Sequence, residues 1–297
     1  MKRRQFIIAA GIVGLLASAT PGFAAGPSVV VGGKDFTEQL ILASITSQLL
    51  AKNGFTVDSK VDMGSSVVRQ AMENGQIDVY WEYTGTSLLS YNKVKETLPP
   101  DETYKKVKEL DAKKGIVWLE PSKADNTFVF MMTKENAAKH KLTSMSDMAK
   151  LITDGTTVTF ACDPEFTQRV DGLKLVEKTY DYSFGRPNTK VMSSGLVYDA
   201  VKNGQVDVSL GFATDGRIPA FDLVALKDDK QVFASYILAP VVRQEVLDKN
   251  PQIGTLLNKV SALLDADVMA RLNAEVDVDK KSVEATAQGF LASKGLI

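Results

Sequence analysis

The groups in this chain that could do chemistry are a handful of carboxylates, two basic side chains beside turn residues, and a set of aromatic rings. Any two of Glu82, Asp163, Glu165 and Asp215 could in principle do acid–base work. No nucleophile accompanies them, and Asp215, between Thr214 and Gly216, is a natural turn residue. One His and one Cys among 297 residues exclude a His-dependent triad, a Cys/His metal site and an internal disulfide. The expectation is therefore a binding protein, not an enzyme, with no metal and no cofactor. Recognition chemistry remains: ring faces attract cations, and fixed Lys and Arg charges attract carboxylates.

The rings are placed by an internal repeat. Asn74-Gly75-Gln76-Ile77-Asp78-Val79 returns as Asn203-Gly204-Gln205-Val206-Asp207-Val208. Each copy follows an amphipathic helical pattern (Val67, Val68, Ala71, Met72; Leu196, Val197, Ala200, Val201), turns at a Gly and enters a short apolar strand. Aligning the copies puts Tyr83 on Phe212 in the loops that follow those strands. Ligands of open α/β sheets lie at the carboxyl ends of strands, so two facing domains would aim both rings into one cleft. The alternative is that both are core residues.

The basic residues have similar settings. Ser28 to Val31 reads as a strand that runs through Gly32-Gly33-Lys34 into a helix reaching about Ala51. Glycines admit a close ligand, a helix N-terminus favours an anion and Lys34 adds a positive charge. The nucleotide-loop spacing is absent, so a carboxylate is the expected guest unless Lys34 is simply a solvated loop lysine. Thr157 to Ala161 reads as a strand leading to Pro164 in the first turn of a helix. Arg169, one turn further on, either points at the cleft or pairs with Asp171 or Glu165 outside it.

The remaining elements frame these positions. Thr56 to Val61 reads as a strand, Asp101 to Lys114 as a charged helix, and Trp118-Leu119 as the end of a strand. Asp125 to Met132 suits a buried strand crossing between domains. Lys134 to Leu151 reads as helical, while Phe221 to Leu226 and Gln231 to Tyr236 read as strands. A return crossing runs through Tyr236 to Pro240, with helices from Val241 to Ile297. The class is mixed α/β, with residues 25–127 as domain I, 128–234 as domain II, and 235–297 returning to domain I.

Residues 1–24 carry Lys2, Arg3 and Arg4, an apolar run from Phe6 to about Ala19, and Pro21 before Gly22-Phe23-Ala24, the pattern of a cleavable signal peptide. Arg3-Arg4 also fits a twin-arginine leader. No Cys stands at the cleavage point to take a lipid, so a soluble, monomeric periplasmic protein is expected. Without the three basic leader residues the chain has 32 Lys and Arg against 36 Asp and Glu, a balance that gives no footing for nucleic acid.

Six motifs taken in order resemble one family. They are Gly33 to Gln39; Asp78-Val79-Tyr80 with Glu82 to Thr86; Asn126-Thr127-Phe128; Phe166 with Arg169 to Gly172; Thr214-Asp215-Gly216; and Tyr236 to Arg243. Together they look like the substrate-binding proteins of osmoprotectant ABC importers of the glycine betaine/choline type. The resemblance covers nearly the whole chain after the leader. It implies a type II periplasmic-binding-protein fold, two α/β domains joined by two crossing strands, and an ABC permease as partner. It further implies a cage of Tyr83, Phe128, Phe212 and Tyr236 around a small quaternary ammonium ligand. Lys34, Thr86 and Arg169 would receive a carboxylate, with Asn126 lining the site. Members of the family often have Tyr where this chain has Phe128 and Phe212, and an acidic residue can stand where it has Asn126. That departure admits a bulkier betaine such as ergothioneine or carnitine as the alternative ligand.

Overall fold

The computed structural model describes residues 26–297, so the expected leader lies outside the described residues. Its strands are β1 (Ser28–Lys34), β2 (Thr56–Met63), β3 (Val79–Tyr83), β4 (Ile116–Trp118), β5 (Phe128–Thr133), β6 (Phe160–Cys162), β7 (Thr189–Val191), β8 (Val208–Phe212), β9 (Leu223–Leu226) and β10 (Leu238–Arg243). They form two five-stranded sheets, ordered β2-β1-β3-β10-β4 and β7-β6-β8-β5-β9. In the first, β1 is parallel to β2 and β3, and β10 is antiparallel to β3 and β4. In the second, β6 is parallel to β7 and β8, and β5 is antiparallel to β8 and β9. The two sheets thus share one topology, and each receives its antiparallel strand from the chain as it arrives from the other sheet. This is the type II binding-protein architecture.

The sequence repeat has a structural explanation. Asn74 and Asn203 end their helices, and Gly75 (φ +73°) and Gly204 (φ +66°) take the left-handed conformation that reverses the chain. The repeated aspartate then ties the turn to a neighbouring strand. Asp78 accepts the Val30 N–H at 2.8 Å and donates its own N–H to the Val30 carbonyl. Asp207 does the same with Thr159, accepting its N–H at 2.7 Å. Each repeat therefore fixes where the following strand, β3 or β8, begins, and hence where its ligand-side end falls.

Several boundaries differ from the sequence reading. The strand expected over Asp125 to Met132 starts at Phe128 and lies wholly in the second sheet. The crossing before it runs antiparallel to the return segment, with N–H donors of Leu119, Ser122 and Asn126 reaching the carbonyls of Pro240, Leu238 and Tyr236. Gln231 to Tyr236 is not a strand, because the Asp228 carboxylate takes the N–H groups of Val232 and Phe233 that a ladder would need. The return strand comes later and continues to Arg243, so the helix expected from Val241 begins at Gln244. Val241 and Val242 are held in β10 by partners on both sides.

Lys134 to Leu151 is broken at Lys141 (φ +54°), and a second helix is restarted by a capping box of Ser144 and Asp147. The helix expected after Pro164 is a run of turns, and the helix there starts at Leu173.

Candidate functional site

A cavity of about 370 Å³ lies between the halves. Its wall includes all eight residues singled out in the sequence: Lys34, Tyr83, Thr86, Asn126, Phe128, Arg169, Phe212 and Tyr236. The topology explains the gathering. Lys34, Tyr83 and Phe212 end β1, β3 and β8, while Phe128 opens β5. Register places Phe128 directly opposite Phe212 and Leu238 opposite Tyr83, which brings Tyr236 to the rim. Gly85 is required for that approach, since a Cβ there would stand 2.8 Å from both the Tyr236 ring and the Ser235 carbonyl.

The rings form a continuous wall. Phe128 lies 5.7 Å from Phe212 and 5.1 Å from Tyr236, centroid to centroid. Phe36 bridges the halves, stacked on Phe212 at 5.3 Å and on Tyr83 at 6.2 Å. Phe36 was not among the expected cage residues, although its place in the Gly-Gly-Lys-Asp-Phe loop beside Lys34 was a usable signal. Neither cage tyrosine turns its hydroxyl into the cavity as a free group. Tyr236 donates to Asp171 at 2.5 Å, and Tyr83 donates to Glu38 at 2.7 Å while accepting from Gln39. Burial, aided by the adjacent carboxylates, raises both phenol pKa values well above the ordinary one, so both hydroxyls stay protonated and donating.

Both basic residues arrive with carboxylates of their own. The Lys34 ammonium is buried at 2.6 Å from Glu82, whose other oxygen accepts the Tyr80 hydroxyl. Burial lowers the Lys34 pKa, and Glu82 opposes that shift. Lys34 is therefore not a solvated loop lysine, and its ammonium also sits 4.9 Å from the centre of the Tyr83 ring. Arg169 makes a two-point pair with Asp171 at 2.9 and 2.6 Å, reaches Thr86 at 3.4 Å and lies over the Phe128 ring at 5.3 Å. The pairing with Asp171 and the orientation toward the cleft, alternatives in the sequence, coexist. Its Nη1 has no hydrogen-bond partner among the described residues, so this edge of the guanidinium remains available to a carboxylate.

Asp35, Asp163 and Glu165 line another part of the wall. Desolvation raises the Asp35 and Asp163 pKa values, and Glu165 adds to the rise in both. Glu165 also spans the cleft, accepting the Ser65 N–H at 2.7 Å at the start of helix Ser65–Glu73. A carboxylate at a helix N-terminus is well placed electrostatically.

Glu38, in the first turn of helix Thr37–Lys52, lies just behind the rings and escaped the sequence reading as a site residue. It accepts from Tyr83 at 2.7 Å, Asn126 at 2.9 Å, Thr214 at 2.5 Å and Asn273 at 3.2 Å. Burial raises its pKa against the pull of those donors. Asn126 is held at both ends, its Nδ2 donating to Glu38 and its Oδ1 accepting the Thr214 N–H. An acidic residue at position 126 would set two carboxylates against each other, which accounts for the amide found there.

Known proteins resemble this chain over nearly its whole length. The family model for the substrate binding domain of an ABC-type glycine betaine transport system matches residues 27–293. A glycine-betaine-binding protein of Pseudomonas aeruginosa is 42% identical over 93% of this chain and 91% of its own length. The glycine betaine-binding protein YehZ of Escherichia coli is 33% identical over 97% of each chain. A crystal structure described as a glycine betaine/carnitine/choline ABC transporter superposes with a TM-score of 0.72 at 30% identity, over 90% of this chain and 99% of the other. On these matches, the chain belongs to the family of substrate-binding domains of ABC-type glycine betaine transport systems.

Proposed function

We propose that this protein is the extracytoplasmic capture subunit of an ABC importer, taking up a quaternary ammonium compound of the glycine betaine, choline or carnitine class for a membrane permease. The observation that carries the reading is the wall formed by Tyr83, Phe36, Phe212, Phe128 and Tyr236, drawn from both halves around one cavity. A methylated ammonium has no N–H to donate, so ring faces are its best partners, at roughly 0.5 to 2 kcal/mol each. Arg169, through Nη1, with Thr86 and Lys34, would receive the carboxylate of a betaine. No reaction is assigned to the site. Its carboxylates are tied to Lys34, Arg169 or backbone N–H groups, or lie at the mouth.

Closure would proceed by hinge motion about the two paired crossing segments, residues 119–127 and 236–240. The division at 127/128 and 234/235 belongs to the same proposal. So do export by the N-terminal leader and action as a monomer.

Calorimetry with glycine betaine, choline, carnitine and ergothioneine tests the function. Binding of at least one, with a small decrease in radius of gyration by solution scattering, is expected. If none of the four binds while an uncharged or anionic solute does, the cage reading fails.

A further inference from the structure

Six carboxylates are buried in the described part of the chain: Glu38, Asp78, Glu82, Asp111, Asp171 and Asp215. Five have a basic partner within ion-pair distance, namely Arg243, Lys34, Arg69, Arg169 and Arg217 for the last five in that order. Glu38 has none among the described residues. Its four donors are neutral groups from four elements: Tyr83 at the end of β3, Asn126 in the crossing, Thr214 beyond β8 and Asn273 on helix Ala266–Asp277. A buried carboxylate is costly unless its charge is compensated, and hydrogen bonds from neutral donors compensate only in part.

Position supplies the reason for tolerating this. Glu38 touches the hydroxyl of Tyr83, whose ring faces the cavity, and it lines a neighbouring space that shares Phe36, Asn126 and Phe212 with that cavity. Lys34 and Arg169, the cations near the rings, are each matched by their own acid and so do not neutralise Glu38. Asp35, Asp163 and Glu165 on the cavity wall also lack a basic partner among the described residues, but of these carboxylates only Glu38 is hydrogen-bonded to a ring of the wall. A tyrosine that donates to a carboxylate also has a more electron-rich ring, which holds a cation more strongly.

We infer that Glu38 is the counter-charge for the ligand's ammonium group, acting through Tyr83 from behind the cage, and that it sets the preference for a cation over a neutral molecule of the same shape. This rests on the functional reading above. Glu38 is thus a positioning residue that need not touch the ligand. The same geometry explains why Tyr83 is Tyr: its hydroxyl links the ring to the charge.

The test compares affinities for choline and its neutral tert-butyl analogue, in which carbon replaces nitrogen, and for glycine betaine and its corresponding analogue. In the wild type the ammonium compounds bind more tightly than their analogues. Glu38→Gln keeps size and one accepting oxygen while removing the charge, and Asn273 Oδ1, which lacks a partner, can turn to accept from the new amide. It should lower affinity for the cations roughly fiftyfold, as expected for one charge about 7 Å away at an effective dielectric near 20, and leave the analogues within about twofold. A purely structural role would weaken both members of each pair equally. Equal losses, or none, overturn the inference. Glu38→Met removes the charge as well and puts the same question if the glutamine variant does not fold. A wild type that binds cation and analogue equally also overturns the inference while leaving the function standing. A wild type that binds no quaternary ammonium compound overturns the functional reading, and the role of Glu38 with it.

Discussion

The two halves are built alike and furnished differently. Each has a five-stranded sheet of one topology, a left-handed glycine, and an aspartate that pins the start of the ligand-side strand. The first half then fills the end of its sheet with charge: Lys34 with Glu82, Glu38 behind Tyr83, and tyrosine hydroxyls on carboxylates. The second presents Phe128 and Phe212, rings without a polar handle, backed by Phe166 and Phe233. The shared scaffold decides where the rings stand. What has diverged is whether the rings carry hydroxyls tied to a carboxylate, since the second half also brings charge to the site, but on Arg169 with Asp171, Asp163 and Glu165 beside its plain rings.

The largest effect should come from breaking the charged half. Lys34→Met leaves Glu82 buried without its partner and should cost about 3 to 5 kcal/mol of stability in denaturant unfolding. A loss under about 1 kcal/mol would mean that the pair is not what holds this end of the sheet together.

Next in size is the anchor. Arg169→Ala should weaken a betaine by about 1.5 to 3 kcal/mol, roughly ten- to hundredfold, and leave choline nearly unaffected, as titration calorimetry would show. Phe212→Ala, by contrast, should weaken both ligands together. Equal losses for betaine and choline in the arginine variant would dissolve the distinction between anchor and cage.

The paired aspartates allow the halves to be compared at one position. Asp78 also binds Arg243 at 2.6 Å, whereas Asp207 holds only the N–H and hydroxyl of Thr159. Asp78→Ala should therefore cost about 2 to 3 kcal/mol and Asp207→Ala about 1 to 2. Indistinguishable unfolding midpoints would count against an added ion-pair contribution in the first half.

The smallest effect is expected from adding handles to the plain half. Phe128→Tyr and Phe212→Tyr keep the ring faces and should change affinity for a small trimethylammonium ligand by less than about 1 kcal/mol. Their value lies in the ratio between glycine betaine and ergothioneine. A ratio that does not move would show that the two hydroxyls play no part in setting pocket width.

Much of this was legible in the chain itself. A six-residue repeat with Gly and Asp at fixed offsets is a local signal for the helix end and the turn, and it placed Tyr83 and Phe212 at equivalent strand ends. The element boundaries near residues 125, 141, 231 and 241 differ from the apolar pattern where a carboxylate, a left-handed residue or a neighbouring strand overrules it. Asp228 capturing the N–H groups of Val232 and Phe233 is the clearest case.

By itself, the sequence determined the mixed α/β class, the doubled unit and the residue types around the cavity, since these follow from periodicity and composition over short stretches. Only the tertiary structure decided which charges are spent. Lys34 meets Glu82 48 residues away, and Glu38 is held by Asn126, Thr214 and Asn273 at separations of 88, 176 and 235 residues. Phe36 reaches Phe212 across the cleft in the same way. A side chain's charge is written in its residue type, but whether that charge is available depends on what the fold packs against it.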